Sequence, residues 1–216
     1  MRMLLTVVCG MILWAGSSAC SGMPQIRVLH DPLTAEEHVT LGLTYESQGH
    51  SELAANEYRT ALRQEPGFVP ALVGLGNIAF AEGELEESET YYQQALAASP
   101  DHPGANNNLA MLYLARGTNL QEAEQLALRA LSQTGPLRPY VLDTLAHIYA
   151  RQARYEEALA AMDNAEAAAP MHDKILHERL IKLRNEILRI HSQVGQNRTT
   201  EPGFRRILEQ HRDGSG

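Results

Sequence analysis

The chain is poor in the residues that staple small domains or carry out catalysis. Of its 216 residues only two are cysteines and one is a tryptophan, and aromatic residues make up 6%. Both cysteines, Cys9 and Cys20, lie near the N-terminus, so a disulfide framework is excluded over the rest of the chain. Packing alone must therefore hold the fold together. Such a composition suits one alanine- and leucine-rich helical domain.

Basic residues are also scarce, because 18 lysines and arginines face 26 acids and leave a formal net charge of −8. An acidic chain repels phosphate backbones, so we do not expect a nucleic acid as partner. The nine histidines form no H-E-x-x-H motif and no zinc-ligand spacing. There is also no G-x-S-x-G motif and no glycine-rich phosphate loop. We therefore expect no metal, no cofactor and no catalysis by this chain alone.

An apolar run over residues 4–15 (LLTVVCGMILWA) follows the basic residue Arg2 and precedes small residues. Twelve residues of helix cover about 18 Å, less than the roughly 30 Å hydrocarbon core of a bilayer. The pattern predicts a signal peptide over residues 1–19.

The end of this predicted signal peptide, residues 17–20 (SSAC), resembles a bacterial lipobox, although Ser17 stands where that family usually has leucine. The resemblance implies that Cys20 becomes an acylated N-terminus, carrying chains such as palmitate, and that residues 20–34 form a tether. Ser21 follows the cysteine where an aspartate could stand, which resembles lipoproteins sorted to the outer membrane and implies a place in the cell envelope, on the periplasmic face of that membrane. The alternative is ordinary signal-peptidase cleavage at the same bond without acylation.

From Ala35 to Pro100 the sequence repeats with a period of 34 residues. Leucine-glycine, tyrosine, alanine and proline recur in the same order, as Leu41-Gly42, Tyr58, Ala61 and Pro66 and then Leu75-Gly76, Tyr92, Ala95 and Pro100. A fixed period of this size indicates stacked copies of one supersecondary unit. In its period and residue order the chain resembles the tetratricopeptide repeat (TPR) family. The resemblance implies an all-α fold, a right-handed α-solenoid of helical hairpins.

The register predicts four hairpin units, over residues 35–68, 69–102, 103–138 and 139–170. Thr34 and Glu37 predict a capping box at the first helix, and Gly42 is a small residue where two helices must cross closely. Apolar residues at spacings of three and four then predict a helix over 171–194. That helix is a cap over the last apolar layer, or alternatively a dimerisation or docking surface. We expect the polar residues 195–216 to be disordered.

In TPR proteins the first helix of each unit lines a concave groove. The resemblance implies a partner groove lined by Asn77, Phe80, Asn107, Met111, Leu114, Tyr140, Asp143, His147 and Arg151. Its apolar centre predicts a partner site, since contiguous exposed apolar surface commonly marks one. The alternative is that the superhelix or the C-terminal tail covers this centre. Carboxylate-clamp TPRs need cations that this set lacks, because Asn77 alone fits their pattern.

Together these features predict a non-catalytic scaffold, a TPR lipoprotein that binds a protein or peptide in its groove and supports an envelope complex. One alternative is a pilotin-like factor for type IV pilus and secretin biogenesis, since residues 106–109 (NNNL) resemble that group. Another is an accessory subunit of an exported peptidase or transporter.

Overall fold

Nine α-helices and no strand make up the part of the chain that the computed structural model describes, residues 31–133 and 135–200, with side chains as far as Ile190. The helices are α1 (Ala35–Ser47), α2 (Ser51–Gln64), α3 (Val69–Glu82), α4 (Leu85–Ala98), α5 (Pro103–Arg116), α6 (Leu120–Ser132), α7 (Arg138–Arg151), α8 (Tyr155–Ala168) and α9 (Lys174–Thr200). The predicted all-α class is confirmed.

The helices pair along the chain into four hairpins, α1 with α2, α3 with α4, α5 with α6 and α7 with α8. The first helices also contact one another in series, from α1 to α3, α5, α7 and α9, whereas the second helices share no such contacts. The first helices therefore form the inner layer of the array and the second helices spread over its outside. We call the surface on the inner sides of α1, α3, α5 and α7 the concave face.

Close crossing of the helices depends on glycines packed against tyrosine rings. Tyr58 of α2 is fully buried, and a Cβ added to Gly42 or to Gly74 would lie 2.5 Å from a ring carbon on either edge of it. Tyr92 of α4 meets Gly76 in the same way, also at 2.5 Å. These distances leave no room for a side chain, so the glycines set how closely α1 and α3 approach the ring.

The helix ends carry the predicted start and stop signals. The Thr34 side chain accepts a hydrogen bond from the Glu37 amide at 3.3 Å, while the Thr34 amide donates to Glu37 Oε2 at 2.8 Å. This reciprocal pair confirms the capping box. Helices α3 and α5 end at Gly83 and Gly117, whose φ angles of 82° and 68° are the left-handed conformation that stops a helix.

The ninth helix differs in length from the prediction. It begins at Lys174 and ends at Thr200, so it includes six residues of the segment 195–216 that we expected to be disordered. Gly195 weakens a helix but does not stop one, and Pro202 is the first residue there that cannot continue it. Residues 1–30, with the predicted signal peptide, Cys20 and most of the tether, lie outside the described residues, as do residues 201–216.

Candidate partner-binding face

The amide of Asn77 on α3 is held by two hydrogen bonds. Its Oδ1 accepts two hydrogen bonds, from the Tyr92 hydroxyl at 2.9 Å and from Asn108 Nδ2 at 2.7 Å. Two donors on one oxygen fix the orientation of the amide, since the oxygen and nitrogen ends then cannot exchange. Asn77 is half-buried, and its Nδ2 is left as a donor held in a fixed direction.

Burial accompanies this arrangement. It raises the pKa of the Tyr92 phenol to about 12, so the hydroxyl stays protonated and keeps donating at any physiological pH. The ring that packs on Gly76 in the core thus carries the hydroxyl that donates to Asn77. Core packing between α3 and α4 therefore sets the position of the half-buried Asn77 amide.

The three consecutive asparagines of α5 have three different roles. Asn106 is fully buried and donates to the carbonyls of Pro100 and His102 at 2.8 and 3.0 Å, which secures the start of the helix. Asn107 is 8% exposed and its Oδ1 is buried without a hydrogen-bond partner. Asn108 reaches across to Asn77. The prediction of Asn107 as an exposed lining residue was therefore wrong, because the turn of α5 points it into the interior and presents Asn108 instead.

The apolar centre predicted for the groove is half-buried rather than fully exposed. Phe80 and Leu114 pack against the large apolar core that runs from Tyr92 to Ile187. Met111 is also half-buried, with its sulfur 3.5 Å from Asn107 Nδ2. These three side chains are partly exposed, and we call them the apolar floor. The fixed amide of Asn77 adds one oriented donor to this floor.

At the far end, Asp143 of α7 is 1% exposed and does not line an open groove, so its prediction as a lining residue was wrong. Its carboxylate forms an ion pair with Arg179 of α9 and lies 3.4 Å from Nδ1 of His147. Burial acts to lower the pKa of His147, but the hydrogen bonds and charge of Asp143 outweigh it and hold this pKa above its usual value. The cluster joins α7 to α9, and the repeat pattern could not reveal it because the period ends before α9.

Of the remaining predicted lining residues, Tyr140 and Arg151 are exposed and His147 is half-buried. The Tyr140 hydroxyl donates to Asp173 Oδ2 at 2.6 Å, which ties α7 to the residue that precedes α9. Asp173 Oδ1 also accepts from the Leu176 amide at 3.0 Å and so caps α9. Arg151 extends toward the end of α5, where its Nη2 would lie 2.7 Å from a Cβ added to Gly117.

Two glutamates in the first half of α4 form ion pairs with the neighbouring unit. Arg116 at the end of α5 forms ion pairs with Glu86 and Glu89, and the Tyr113 hydroxyl donates to Glu89 at 2.9 Å. Glu86 is 90% exposed by its side chain, so its pair contributes little to stability. Glu89 is the better buried of the two and links the second unit to the third.

Among the described residues there is no cluster of three or more histidine, cysteine, aspartate or glutamate side chains arranged to hold a metal ion. Within the same residues no helix combines the length and apolarity that a bilayer span requires.

The array of hairpins and its concave face define an all-α solenoid, and comparison with known proteins agrees. Residues 39–103 and 73–139 match the Tetratricopeptide repeat family. The chain therefore contains tetratricopeptide repeats, as its period predicted.

A curated relative is Protein O-mannosyl-transferase TMTC1 of Homo sapiens, 31% identical over 150 residues, which are 69% of this chain and 17% of that protein. A chain of the APC/C hetero-tetramer Cut9-Hcn1 superimposes with a TM-score of 0.62 at 16% identity, over 72% of this chain and 30% of that one. MamA superimposes with a TM-score of 0.52 at 15% identity, over 72% and 97%. The two structures show a shared fold, and the chain spans 17% of the length of the curated relative.

Proposed function

We propose that this protein is a non-catalytic scaffold whose concave face binds an extended segment of a partner protein. The observation that carries the proposal is the Asn77 amide, whose oxygen is held by Tyr92 and Asn108 while its nitrogen is left to donate. A donor in a fixed direction suits the repeated carbonyl groups of an extended peptide. The half-buried apolar floor beside it would receive side chains from the same peptide.

The proposed ligand is a peptide segment and not a charged head group. Asp143 and Arg179 neutralise each other, and Arg116 is occupied by two glutamates. Tyr140, His147 and Arg151 would then contact the end of the peptide at the α7 side.

Two aspartates on the apolar floor test the groove. We expect Phe80→Asp with Met111→Asp to lower recovery of the cross-linked partner at least ten-fold, because two carboxylates would be desolvated against apolar ligand surface. The control is Leu53→Asp with Leu128→Asp, at exposed positions of the second helices α2 and α6, which should leave recovery unchanged.

Circular dichroism must show that both of these variants keep the helix content of the parent. Unchanged recovery of the partner by a folded Phe80→Asp, Met111→Asp variant would place the binding surface elsewhere. The identity of the recovered protein separates the more specific possibilities, since a secretin would favour a pilotin-like role and a peptidase or transport protein an accessory role.

We further propose that the scaffold is tethered to the cell envelope through acylated Cys20. The support is the sequence alone, with an apolar run too short to span a bilayer followed by small residues and a cysteine. Changing Cys20 to Ser should abolish incorporation of labelled fatty acid and release the protein from the membrane fraction. Retention of the label, or an unchanged membrane fraction, would contradict the tether.

A further inference from the structure

Helix α9 stands in the position of the first helix of a fifth hairpin. It contacts α7 and α8 as α7 contacts α5 and α6. Each earlier first helix is covered on one side by the second helix of its own unit, but in the part of the chain that the structure describes no helix follows α9. We call the uncovered side the open face of α9.

The open face carries apolar side chains. Ile175, Ile181 and Leu188 are 73%, 57% and 52% exposed, although Leu176, Leu180, Leu183 and Ile187 already supply a buried face toward the solenoid. Ile181 and Leu188 are seven residues apart, which places them within about 20° of each other around a helix. A helix that is apolar on a second side is one that packs against a further neighbour.

Four charged side chains of the open face alternate in sign. Lys174, Glu178, Lys182 and Glu186 are all exposed and follow one another at every fourth position. When a second α9 lies antiparallel across the first, Lys174 of one copy lies opposite Glu186 of the other, and Glu178 lies opposite Lys182. Each lysine then faces a glutamate, so the face is complementary in charge to itself in the antiparallel arrangement and not in the parallel one.

Arg184, which borders the open face, does not oppose such pairing. Its Nη2 lies 2.7 Å from Asp163 Oδ1 and 3.2 Å from Glu166 Oε2 of α8. Two carboxylates of the same chain therefore compensate its charge before a second copy approaches.

At the other end of the array, the side of α1 around Thr40 is polar in the part of the chain that the structure describes. Thr40 of α1 occupies the repeat position of Gly74 and Asn108, both of which touch the preceding unit. Thr40 and Thr44 are exposed and donate to the carbonyls of Glu36 and Thr40 at 3.0 and 2.9 Å. Head-to-tail stacking of copies would press this polar face against Ile181 and Leu188. A two-fold contact between two C-terminal ends has no such mismatch.

We propose that the open face of α9 binds the α9 helix of a second copy of this chain in an antiparallel pair. Each copy then packs an α9 helix where the earlier units place their own second helix. Four lysine-glutamate contacts form the pair together with Ile181 and Leu188, which lie along one side of the charged row, and the concave faces of the two copies stay free.

The test exchanges the charges of the open face. One variant carries Glu178→Lys with Glu186→Lys, and the other carries Lys174→Glu with Lys182→Glu. Purified full-length copies with two different affinity tags are mixed at about 50 μM, which detects dissociation constants in the micromolar range, and co-recovery of the two tags is measured. A matched control carries Glu52→Lys with Glu65→Lys, both exposed on or beside α2.

We expect the parent and the control to pair with themselves, and each open-face variant to lose at least ten-fold in self-recovery because like charges face one another. Mixing the two open-face variants should restore recovery, which also shows that neither has unfolded. The proposal is overturned if the parent does not pair, since another segment or protein then covers the face. It is equally overturned if the variants pair with themselves like the parent, or if mixing them restores nothing.

Discussion

At the residue scale, corresponding positions of the units keep the same packing role although their residue types differ. In the first two units a glycine faces a tyrosine, as Gly42 faces Tyr58. At the corresponding positions of the third unit the chain has Ala110 and Ala127, both fully buried. Small residues on the first helix thus accompany the closest approach of the second helix, which is why the period is readable from so few positions.

A methyl group at Gly42 tests this packing. We expect Gly42→Ala to lower the free energy of unfolding by about 1–3 kcal/mol, because the added Cβ would lie 2.5 Å from the Tyr58 ring. The ring cannot shift aside, since Gly74 packs against its other edge. Chemical denaturation gives the value.

The control for that substitution is Gly104→Ala in α5, where the nearest atom to an added Cβ is Cε1 of His102 at 3.3 Å. Alanine favours a helix over glycine by up to about 1 kcal/mol, so this variant should be as stable as the parent or more so. Equal stability of Gly42→Ala and the parent would contradict the proposed role of the glycine.

At the element scale, α7 and α9 are joined by charge as well as by apolar packing. Asp143 is buried between them and depends on Arg179 and His147 for compensation. Period and residue order predicted the helices of the four units but not this contact, because α9 lies beyond the last repeat and its rotation about its own axis is set by tertiary packing. The prediction that Asn107 lines the groove failed for a related reason. It carried a family position over to a run of three asparagines, in which neighbouring residues point about 100° apart around the helix.

The pH dependence of stability tests the charged cluster. The pKa of His147 lies above its usual value in the folded protein, so its charged form stabilises the fold. That contribution is complete below the unfolded pKa of about 6.5 and is lost as the pH rises through the folded pKa. We therefore expect His147→Gln to cost more stability at pH 5.5 than at pH 8 in urea denaturation.

Exposed His50 between α1 and α2 provides the control for that experiment. His50→Gln should show no comparable difference between the two pH values. An equal loss for His147→Gln at both values would mean that Asp143 does not stabilise the charged imidazole.

At the scale of the whole molecule, the sequence predicts architecture better than contacts. The period of 34, the capping box and the small residues predict four hairpins, and the apolar spacing of three and four predicts a terminal helix, because each reports a local or nearest-neighbour constraint. The polar contacts of the concave face arise between units, and no local pattern specifies them. Asn108 could be found only by asking which α5 residue points back to Asn77, and Tyr92 only by following a core side chain to its hydroxyl.

The central claim is that the concave face, and not the outer layer, binds a partner protein. The most direct measurement is site-specific photo-cross-linking in cells, with the photoreactive residue placed at Ala81 or Ala115 at the ends of α3 and α5, and at Gln94 or Arg129 on the second helices as controls. All four positions are exposed, so the substitution should leave the fold intact. We predict one common cross-linked partner from Ala81 and Ala115 and none from the two controls. Cross-links to that protein from Gln94 and Arg129 alone would contradict the account.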